Sequence, residues 1–347
     1  MNSPRILVVS AGLPSKRNGV VKALRDQYCA DFLPGMAHPE KFLDKFWRKF
    51  GVSNIIGRHA RNIKDLNHSI IERAGSFDIL FIIKGNFVTA ATLQELQSLI
   101  NPPKIVGWSP DDIYLSHNNS AILYSAAPFY DIFFTAKSLN IKNSELTSMG
   151  FVNSQFIHQG FDRDYHYPIP DDKSRFFGLA TFVGSAEQDR FEKLNYLAKH
   201  GLEIHVYGNG WTSAMSARAD KRLVINNYPL LGHDYIDALT NSAISFCFLR
   251  KLNRDTHTSR TFEIPACGGF MIAERSDEHL KYFSEDKEAV YFDDAAELLT
   301  KVKYYLSHPK ERKTIAMAGR HRCLNSDYSY HRLTKKMIDF SLLSLNR

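Results

Sequence analysis

The segment from Arg254 to Glu274, RDTHTSRTFEIPACGGFMIAE, carries side chains suited to binding an anion together with neighbouring hydroxyl groups. A polar loop leads into a predicted helix that begins near Thr258 and Ser259, and free N–H groups at a helix start bind phosphate. Arg260 adds a permanent positive charge. Glu263 lies one turn further on, where a carboxylate can accept hydrogen bonds from two ribose hydroxyls. A purely structural interpretation stays open, in which a hydroxyl side chain caps the helix and the arginine and glutamate form a surface pair.

A second candidate for anion binding is the segment Phe182–Arg190, FVGSAEQDR, whose pattern predicts a strand, a glycine turn and a helix. Gly184 and Ser185 form a turn in which the backbone can approach a phosphate closely, because glycine lacks a Cβ. Arg190 is predicted in the first turn of the helix, facing the same crevice. A tight turn with a solvent-exposed arginine is the alternative. The sequence has no G-x-x-x-x-G-K-[ST] motif, which disfavours a P-loop NTPase.

The turn Tyr207–Trp211, YGNGW, also follows a predicted strand, and we expect Tyr207 and Gly208 to lie beside a nucleotide. The turn lacks the third glycine of a dinucleotide fingerprint, so it is a weak signal on its own. The backbone of residues 228–231 is a candidate for contacts to the base.

In the N-terminal half, Asp111 and Asp112 follow a predicted strand that ends at Trp108. A carboxylate in a crevice can act as the general base that deprotonates an acceptor hydroxyl. In an extended segment the two side chains point to opposite sides, so at most one of them acts. The alternative is that one of them caps a helix beginning near Ile113. His117 is a second candidate for the base.

Lys16 and Arg17 lie in the loop Ser10–Gly19, SAGLPSKRNG, where they are candidates for binding an anionic acceptor; an ordinary exposed loop explains them as well. No metal site is predicted, because the four cysteines lie far apart and no histidine cluster completes a zinc spacing. The D-x-D string at residues 162–164 lies in a predicted linker. We therefore expect neither a metal nor another cofactor.

Short apolar runs alternate with amphipathic segments along nearly the whole chain, which is typical of parallel sheets covered by helices on both faces. The predicted strands are Ile6–Val9, Ile79–Ile83, Ile105–Trp108, Asp131–Phe134, Leu179–Val183, Ile204–Tyr207, Ile244–Phe248, Phe270–Ala273 and Ala289–Phe292. Helices are predicted over Ala91–Ile100, over Arg190–His200 and in the tail from Pro309 onward. In such sheets the loops at the carboxyl ends of the strands build the binding crevice, and the candidate residues lie in those loops.

The 347 residues suit two domains of similar size, predicted at 1–165 and 174–325, with a linker rich in charge and proline between them. Residues 326–347 are predicted as a C-terminal helix that crosses back to the first domain. A hydrophobic content of 44%, with no apolar run near the ~18–20 residues of a membrane span, indicates a soluble protein. We expect a cytoplasmic protein, with peripheral membrane association left open. The net charge of +7 favours an anionic partner.

Three runs, SRTFEIPACGGFMIAE, EHLKYFSEDKEAVYFD and KVKYYLSHPKERKTIAMAGR, resemble the glycosyltransferase-like family that includes bacterial spore-maturation proteins. This family is a branch of the GT-B glycosyltransferases. The resemblance extends from about Phe182 to Met337, and upstream of it Trp108–Asp112 and Gly160–Asp162 are the main similar points. It implies a GT-B fold: two Rossmann-like α/β domains facing a central cleft, with the C-terminal helices packing back toward the N-terminal domain.

By this resemblance, Glu263 matches the second carboxylate of the E-x7-E pattern of many retaining GT-B enzymes, the one that contacts ribose. The first position of the pattern falls on Asp255, whose shorter side chain leaves its sugar contact undecided, and with it retention or inversion. The implied donor site consists of Gly184, Ser185, Arg190, Tyr207, Gly208, Asp255, Thr258, Ser259, Arg260 and Glu263.

The resemblance implies transfer of a hexosyl group from a nucleoside-diphosphate sugar, with a UDP-sugar favoured, to a hydroxyl of a saccharide or glycolipid in polysaccharide or glycoconjugate synthesis. Arg190 and Arg260 would stabilise the departing diphosphate, with no metal required, and Asp111 or Asp112 would supply the base. Three other functions stay open: a sugar-nucleotide epimerase, a non-catalytic GT-B structural or sugar-binding protein, and a DNA-modifying glucosyltransferase. Nucleic acid is nevertheless a disfavoured partner.

Overall fold

The computed structural model describes residues 3–11, 19–35 and 54–343. The chain divides into two compact units: the first contains Met1–His158 together with His331–Arg347, and the second contains Gln159–Tyr330. Among the described helices, none has the length and apolar content that a membrane crossing requires.

The first unit contains a sheet of six parallel strands in the order β2-β1-β3-β4-β5-β6. The strands are β1 Arg5–Ala11, β2 Cys29–Gly35, β3 Ile79–Ile83, β4 Lys104–Ser109, β5 Ile132–Thr135 and β6 Ser154–Phe156. The helices are Gly19–Gln27, Asn54–Ala74, Ala90–Gln97, Ala121–Ala126, Ser138–Lys142 and Glu145–Ser148, with a 3₁₀ helix at Ala127–Phe129. Because β1 pairs with β2 on one side and β3 on the other, the strand order reverses there, which is where open sheets bind ligands.

The last helix of the chain, Tyr330–Leu343, begins at the end of the second unit and from its second residue belongs to the first. Within the first unit, His331 Nε2 lies 3.0 Å from the carboxylate of Asp26. The side-chain amide of Gln27 donates to Thr334 Oγ1 at 2.9 Å. These contacts attach the C-terminal helix to helix Gly19–Gln27.

The second unit contains another sheet of six parallel strands, in the order β12-β11-β10-β7-β8-β9. The strands are β7 Ala180–Val183, β8 Ile204–Tyr207, β9 Leu223–Asn226, β10 Ile244–Cys247, β11 Met271–Glu274 and β12 Val290–Phe292. The helices are Gln188–Lys199, Ser213–Arg218, His233–Asn241, Arg260–Ala266, Asp277–Tyr282, Ala295–Ser307 and Pro309–Asn325, with a 3₁₀ helix at Lys251–Asn253. Here the order reverses between β7 and β10, so the loops after these two strands should frame a crevice.

Continuous apolar runs explain the central strands of both sheets. β3 (ILFII) and β10 (ISFC) are buried along their whole length, as expected of parallel strands covered on both faces. A Cβ on Gly107 in β4 would lie 2.3 Å from the ring of Phe133 in β5, so this glycine makes room for the aromatic side chain of the neighbouring strand.

The prediction of parallel sheets alternating with helices is confirmed, and each of the nine predicted strands forms within a residue or two of its expected position. Three further strands, β2, β6 and β9, were not predicted, and each lies at an outer edge of its sheet. The helix expected near Ile113 is wrong, because residues 113–118 form turns and the next helix begins at Ala121.

Candidate functional site

Two glycine turns at the carboxyl ends of β7 and β8 pack directly against each other. Gly184 N–H donates to Tyr207 O at 2.8 Å, and Trp211 Nε1–H donates to Gly184 O at 3.2 Å. A Cβ on Gly208 would lie 2.0 Å from Gly184 O. Gly208 is therefore required because the two backbones touch, and the Gly184–Ser185 turn beside it keeps a fixed shape.

Arg190, in the first turn of helix Gln188–Lys199, is buried behind the Gly184 turn. Its guanidinium donates to Ser185 O at 2.9 Å and lies 5.5 Å from the centre of the Phe182 ring. In the part of the chain that the structure describes, its buried Nε has no hydrogen-bond partner. Burial lowers the pKa of Arg190, but an arginine still stays charged at neutral pH. The turn thus holds a buried cation with unused hydrogen-bonding capacity.

Neighbouring basic side chains are paired more fully. Lys193 Nζ lies 2.5 Å from Asp189 and 3.2 Å from Glu274, and Arg250 Nε lies 3.0 Å from Glu187. Glu274 also accepts a hydrogen bond from the backbone N–H of residue 249 at 2.6 Å, which fixes the start of the loop after β10. These ion pairs hold the loops in place and leave their cations little capacity for a ligand.

Arg260, the first residue of helix Arg260–Ala266, is the second cation with unused capacity. Its closest polar contacts are Ser259 Oγ at 3.5 Å and Glu263 Oε2 at 3.8 Å, and its Nε is buried without a partner among the described residues. Its guanidinium lies 5.4 Å from the centre of the Tyr235 ring. The charge of Arg260 also contributes to lowering the pKa of Arg190, so two like charges lie close together. Such an arrangement suits a ligand with more than one negative charge.

Glu263 lies one turn after Arg260, with its side chain 12% exposed. Its Oε2 accepts a hydrogen bond from Tyr235 O–H at 2.5 Å, and its Oε1 lies 3.6 Å from His166 Nε2. Burial raises the pKa of Tyr235 well above its usual value, so the phenol keeps its proton and remains a donor. The i,i+3 pair with Arg260 exists, but at 3.8 Å it is a loose one.

Two buried histidines that sequence reasoning missed hold the loop before this helix. His257 Nδ1 lies 2.5 Å from Glu278 Oε2, and His257 Nε2 accepts from the backbone N–H of Gln159 at 2.9 Å. His279 Nε2 lies 2.8 Å from Thr261 Oγ1, and burial lowers the pKa of His279 to about 4. Both side chains are fully buried, which fixes the conformation of the loop. A hydrogen-bonded histidine in an apolar setting gives no distinctive sequence signal.

Three residues of the expected donor site make contacts within the protein. Asp255 accepts hydrogen bonds from the backbone N–H of residue 250 at 3.3 Å and from Asn253 Nδ2 at 2.8 Å, so its carboxylate shapes the loop. The Thr258 hydroxyl lies 3.8 Å from Cys247 Sγ, in the interior. Ser259 occupies the N-cap position without a side-chain capping bond. The alternative in which a hydroxyl caps the helix is therefore wrong.

Tyr207 is 5% exposed, and its ring packs edge-on against Phe176 and Tyr228. The structure does not favour the predicted contact between the Tyr207 side chain and a nucleotide, because the ring belongs to the core. Tyr228 itself is 47% exposed.

In the first unit, the structure separates the adjacent carboxylates. Asp112 is fully buried, and its Oδ1 accepts from Asn140 Nδ2 at 2.9 Å and from the Tyr114 backbone N–H at 3.2 Å. Asp112 is therefore the weaker of the two candidate bases, because a buried, hydrogen-bonded carboxylate supports the turn. Asp111 is partly exposed and lies 2.5 Å from Lys84 Nζ.

Lys84 was not singled out from the sequence, although it lies at the carboxyl end of β3, next to the reversal of strand order. It has a φ of 69°, a left-handed conformation that is unfavourable for a residue with a side chain. His117 is exposed in the turn after Asp112. Lys16 and Arg17, the other acceptor-side candidates, lie outside the described residues.

Solved structures of similar fold cover almost the whole chain. The Anabaena protein HepE, in complex with UDP-glucose, is 12% identical with a TM-score of 0.64, over 98% of this chain and 100% of that chain. A glycosyltransferase from Rickettsia africae is 14% identical with a TM-score of 0.64 over 100% of both chains. Sucrose-phosphate synthase from Thermosynechococcus elongatus is 9% identical with a TM-score of 0.64 over 98% of both chains. At these identities the likeness establishes the fold, which is GT-B, as expected.

Residues 189–339 match the sequence model of a family described as "Glycosyl transferase-like". This stretch, which is less than half of the chain, contains Arg190, Arg260 and Glu263. A comparison with curated proteins finds no match. The resemblance drawn from the residues is therefore confirmed at the level of the glycosyltransferases, while membership of the spore-maturation branch stays a prediction.

Proposed function

We propose that the protein transfers a sugar from a nucleoside-diphosphate sugar to a hydroxyl group of an acceptor, and that its second unit binds the donor. The observation that carries the proposal is the pair of arginines, Arg190 and Arg260, at the reversal of strand order. Each has a buried Nε without a partner in the described chain. A diphosphate is a ligand that would pair with both arginines.

The charges of this site explain why the ligand should be doubly charged. Arg190 is buried and the Arg260 side chain is 32% exposed, and two neighbouring cations repel each other and are costly unless paired. A diphosphate neutralises both and accepts hydrogen bonds from the unused guanidinium N–H groups. When the sugar leaves, negative charge builds on the diphosphate, and the same two cations stabilise it. This is the role proposed for Arg190 and Arg260 in the reaction.

UDP is the first nucleotide to test. The structures of HepE hold UDP-glucose in one case and UDP with glucose in another. An α-glucosyltransferase, 12% identical with a TM-score of 0.65 over 100% of both chains, was solved with UDP and a DNA 13-mer. These ligands belong to those proteins, and they support UDP here only as an expectation. No contact in the described chain favours DNA as the acceptor.

On the acceptor side, Asp111 is the proposed base, since it is the partly exposed member of its pair and Lys84 holds it in place. A saccharide or glycolipid remains the expected acceptor. We expect the protein to act in the cytoplasm, with or without peripheral attachment to a membrane. The proposed reaction needs no metal, because the arginines balance the diphosphate.

The proposal is tested by calorimetric titration of UDP, GDP, ADP, dTDP and CMP into the wild-type protein and Glu263→Ala. A carboxylate bonded to ribose contributes on the order of 1.5–3 kcal/mol, so the variant should bind about tenfold or more weakly. Glu203→Ala is a matched control, because Glu203 is exposed and pairs only with His205 among the described residues.

The donor site is supported if one nucleotide binds to the wild type and to the control but only weakly to Glu263→Ala. That nucleotide also identifies the nucleobase of the donor. Release of that nucleotide from its sugar donor then tests for catalysis. The proposal is wrong if no nucleotide binds, and the site is misplaced if Glu263→Ala binds as tightly as the wild type.

A further inference from the structure

The carboxylate of Glu263 lies between two side chains from distant parts of the second unit. Its Oε2 accepts the Tyr235 hydroxyl at 2.5 Å, while its Oε1 lies 3.6 Å from His166 Nε2. A separation of 3.6 Å is too long for a hydrogen bond. One oxygen of the carboxylate is therefore held in place, and the other faces a ring nitrogen across a gap.

The hydrogen bonds of His166 determine which ring nitrogen carries the proton. Its Nδ1 accepts from the backbone N–H of Asp162 at 3.0 Å, so the proton of the neutral ring is on Nε2. Burial lowers the pKa of His166, and Arg260 acts in the same direction, whereas the charges of Glu263 and Asp162 act against it. The ring is consequently neutral near pH 7. A donor on His166 and an acceptor on Glu263 thus line the same gap.

A hydroxyl group fits this gap because it both donates and accepts. Two atoms 3.6 Å apart can each lie about 2.8 Å from a third oxygen, which is an ordinary hydrogen-bond length. An oxygen without a hydrogen would meet the carboxylate as a second acceptor. A carbon in its place would leave both a buried N–H and a buried carboxylate oxygen unpaired, which is costly.

We propose that His166 and Glu263 together bind one ribose hydroxyl of the donor nucleotide, so that His166 determines specificity for ribose over deoxyribose. The inference rests on the proposed function, because it requires Glu263 to face the nucleotide. Tyr235 is a positioning residue: its hydroxyl fixes Oε2 and so leaves Oε1 directed at His166. The ring contact between Arg260 and Tyr235 connects this arrangement to the diphosphate side of the site.

The experiment compares the affinities of UDP, 2′-deoxy-UDP and 3′-deoxy-UDP for the wild type, His166→Phe and His166→Gln by calorimetry at pH 7.5. Phenylalanine keeps a ring of similar shape without a donor. Glutamine keeps an N–H that can reach the same position. His200→Gln is the control, since His200 is exposed at the far end of helix Gln188–Lys199, about 15 Å along the helix from Arg190. Thermal unfolding establishes that each variant is folded.

The wild type and His200→Gln should bind UDP about tenfold or more tightly than one of the two deoxy analogues. In His166→Phe that preference should fall by about threefold or more, since Glu263 still accepts from the hydroxyl, and His166→Gln should restore most of it. A merely structural role would weaken all three ligands equally and leave the preference intact, which would overturn the inference. So would a wild type that binds UDP without distinguishing ribose. A wild type that binds no nucleoside diphosphate at all would instead refute the proposed function.

Discussion

Replacing Arg190 by methionine tests whether this buried cation serves binding or stability. Arg190 is 6% exposed, its guanidinium donates to Ser185 O, and its Nε has no partner among the described residues. Burial disfavours the cation, and the neighbouring charge of Arg260 adds to that effect, whereas the carboxylates of Glu187, Asp255 and Glu274 oppose it. Methionine has a similar unbranched stem that can pack over the Phe182 ring without a charge.

The substitution should change the unfolding free energy and the affinity for UDP in different ways. The lost hydrogen bond to Ser185 O costs about 0.5–1.5 kcal/mol of unfolding free energy. Removal of an incompletely paired buried cation offsets that cost by a similar or larger amount. Stability should therefore change by no more than about 1 kcal/mol, or rise. For UDP, the loss of charged hydrogen bonds to the diphosphate costs about 1.5–3 kcal/mol, which weakens binding about 13- to 160-fold.

The assay is calorimetric titration of UDP together with thermal unfolding of the free protein. Arg222→Met serves as the control, because Arg222 is exposed and lies 3.6 Å from Asp220 in a surface pair. Binding of UDP by Arg190→Met within about threefold of the wild type would refute the role in the donor site. A fall in Tm of more than about 6 °C would refute the claim that the cation is not needed for stability.

Two further predictions concern the framework of the site. In Gly208→Ala the new Cβ would lie 2.0 Å from the backbone oxygen of Gly184, and a backbone atom cannot move aside without straining the turn. We therefore expect the unfolding free energy, measured by urea unfolding, to fall by about 1–3 kcal/mol. Equal stability of the variant would contradict the packing argument. For His279, burial lowers the pKa to about 4, below the ~6.5 of an unfolded histidine, so the unfolded state takes up the proton first as the pH falls. The contribution of His279 to the unfolding free energy is complete above about pH 6.5 and is lost as the pH falls towards 4. The variant His279→Gln should therefore reduce the difference in unfolding free energy between pH 7 and pH 5 by about 1–2 kcal/mol. An unchanged difference in that variant would show that His279 does not titrate in this way.

The three strands that were not predicted are all edge strands. The central strands are short, mostly apolar runs rich in β-branched and aromatic residues, because both of their faces are buried. β2 contains Pro34, which a central strand would not tolerate, and β6 has three residues that are only partly buried. An edge strand needs a partner on one side only, so its sequence is under a weaker constraint.

The residues of the proposed donor site also divide into some that were predicted and some that were not. Arg190, Arg260 and Glu263 were predicted because their side-chain types follow strands whose carboxyl ends meet at one edge of a sheet. Tyr235 and His166, which contact Glu263, come from a different helix and from the segment before β7. No local spacing relates them to Glu263, so only the folded chain identifies them.

The sequence by itself determined the alternation of strands and helices, the two parallel sheets and the loops that carry the charged residues, because these depend on local periodicity and on short apolar runs. The tertiary structure decided which of those residues is available for chemistry. Asp111 and Asp112 are adjacent and chemically identical, yet Asp112 is buried under Asn140 while Asp111 meets Lys84 at the surface. Burial and hydrogen bonding depend on residues far apart in the chain, and these long-range contacts set the exposure and charge of a side chain.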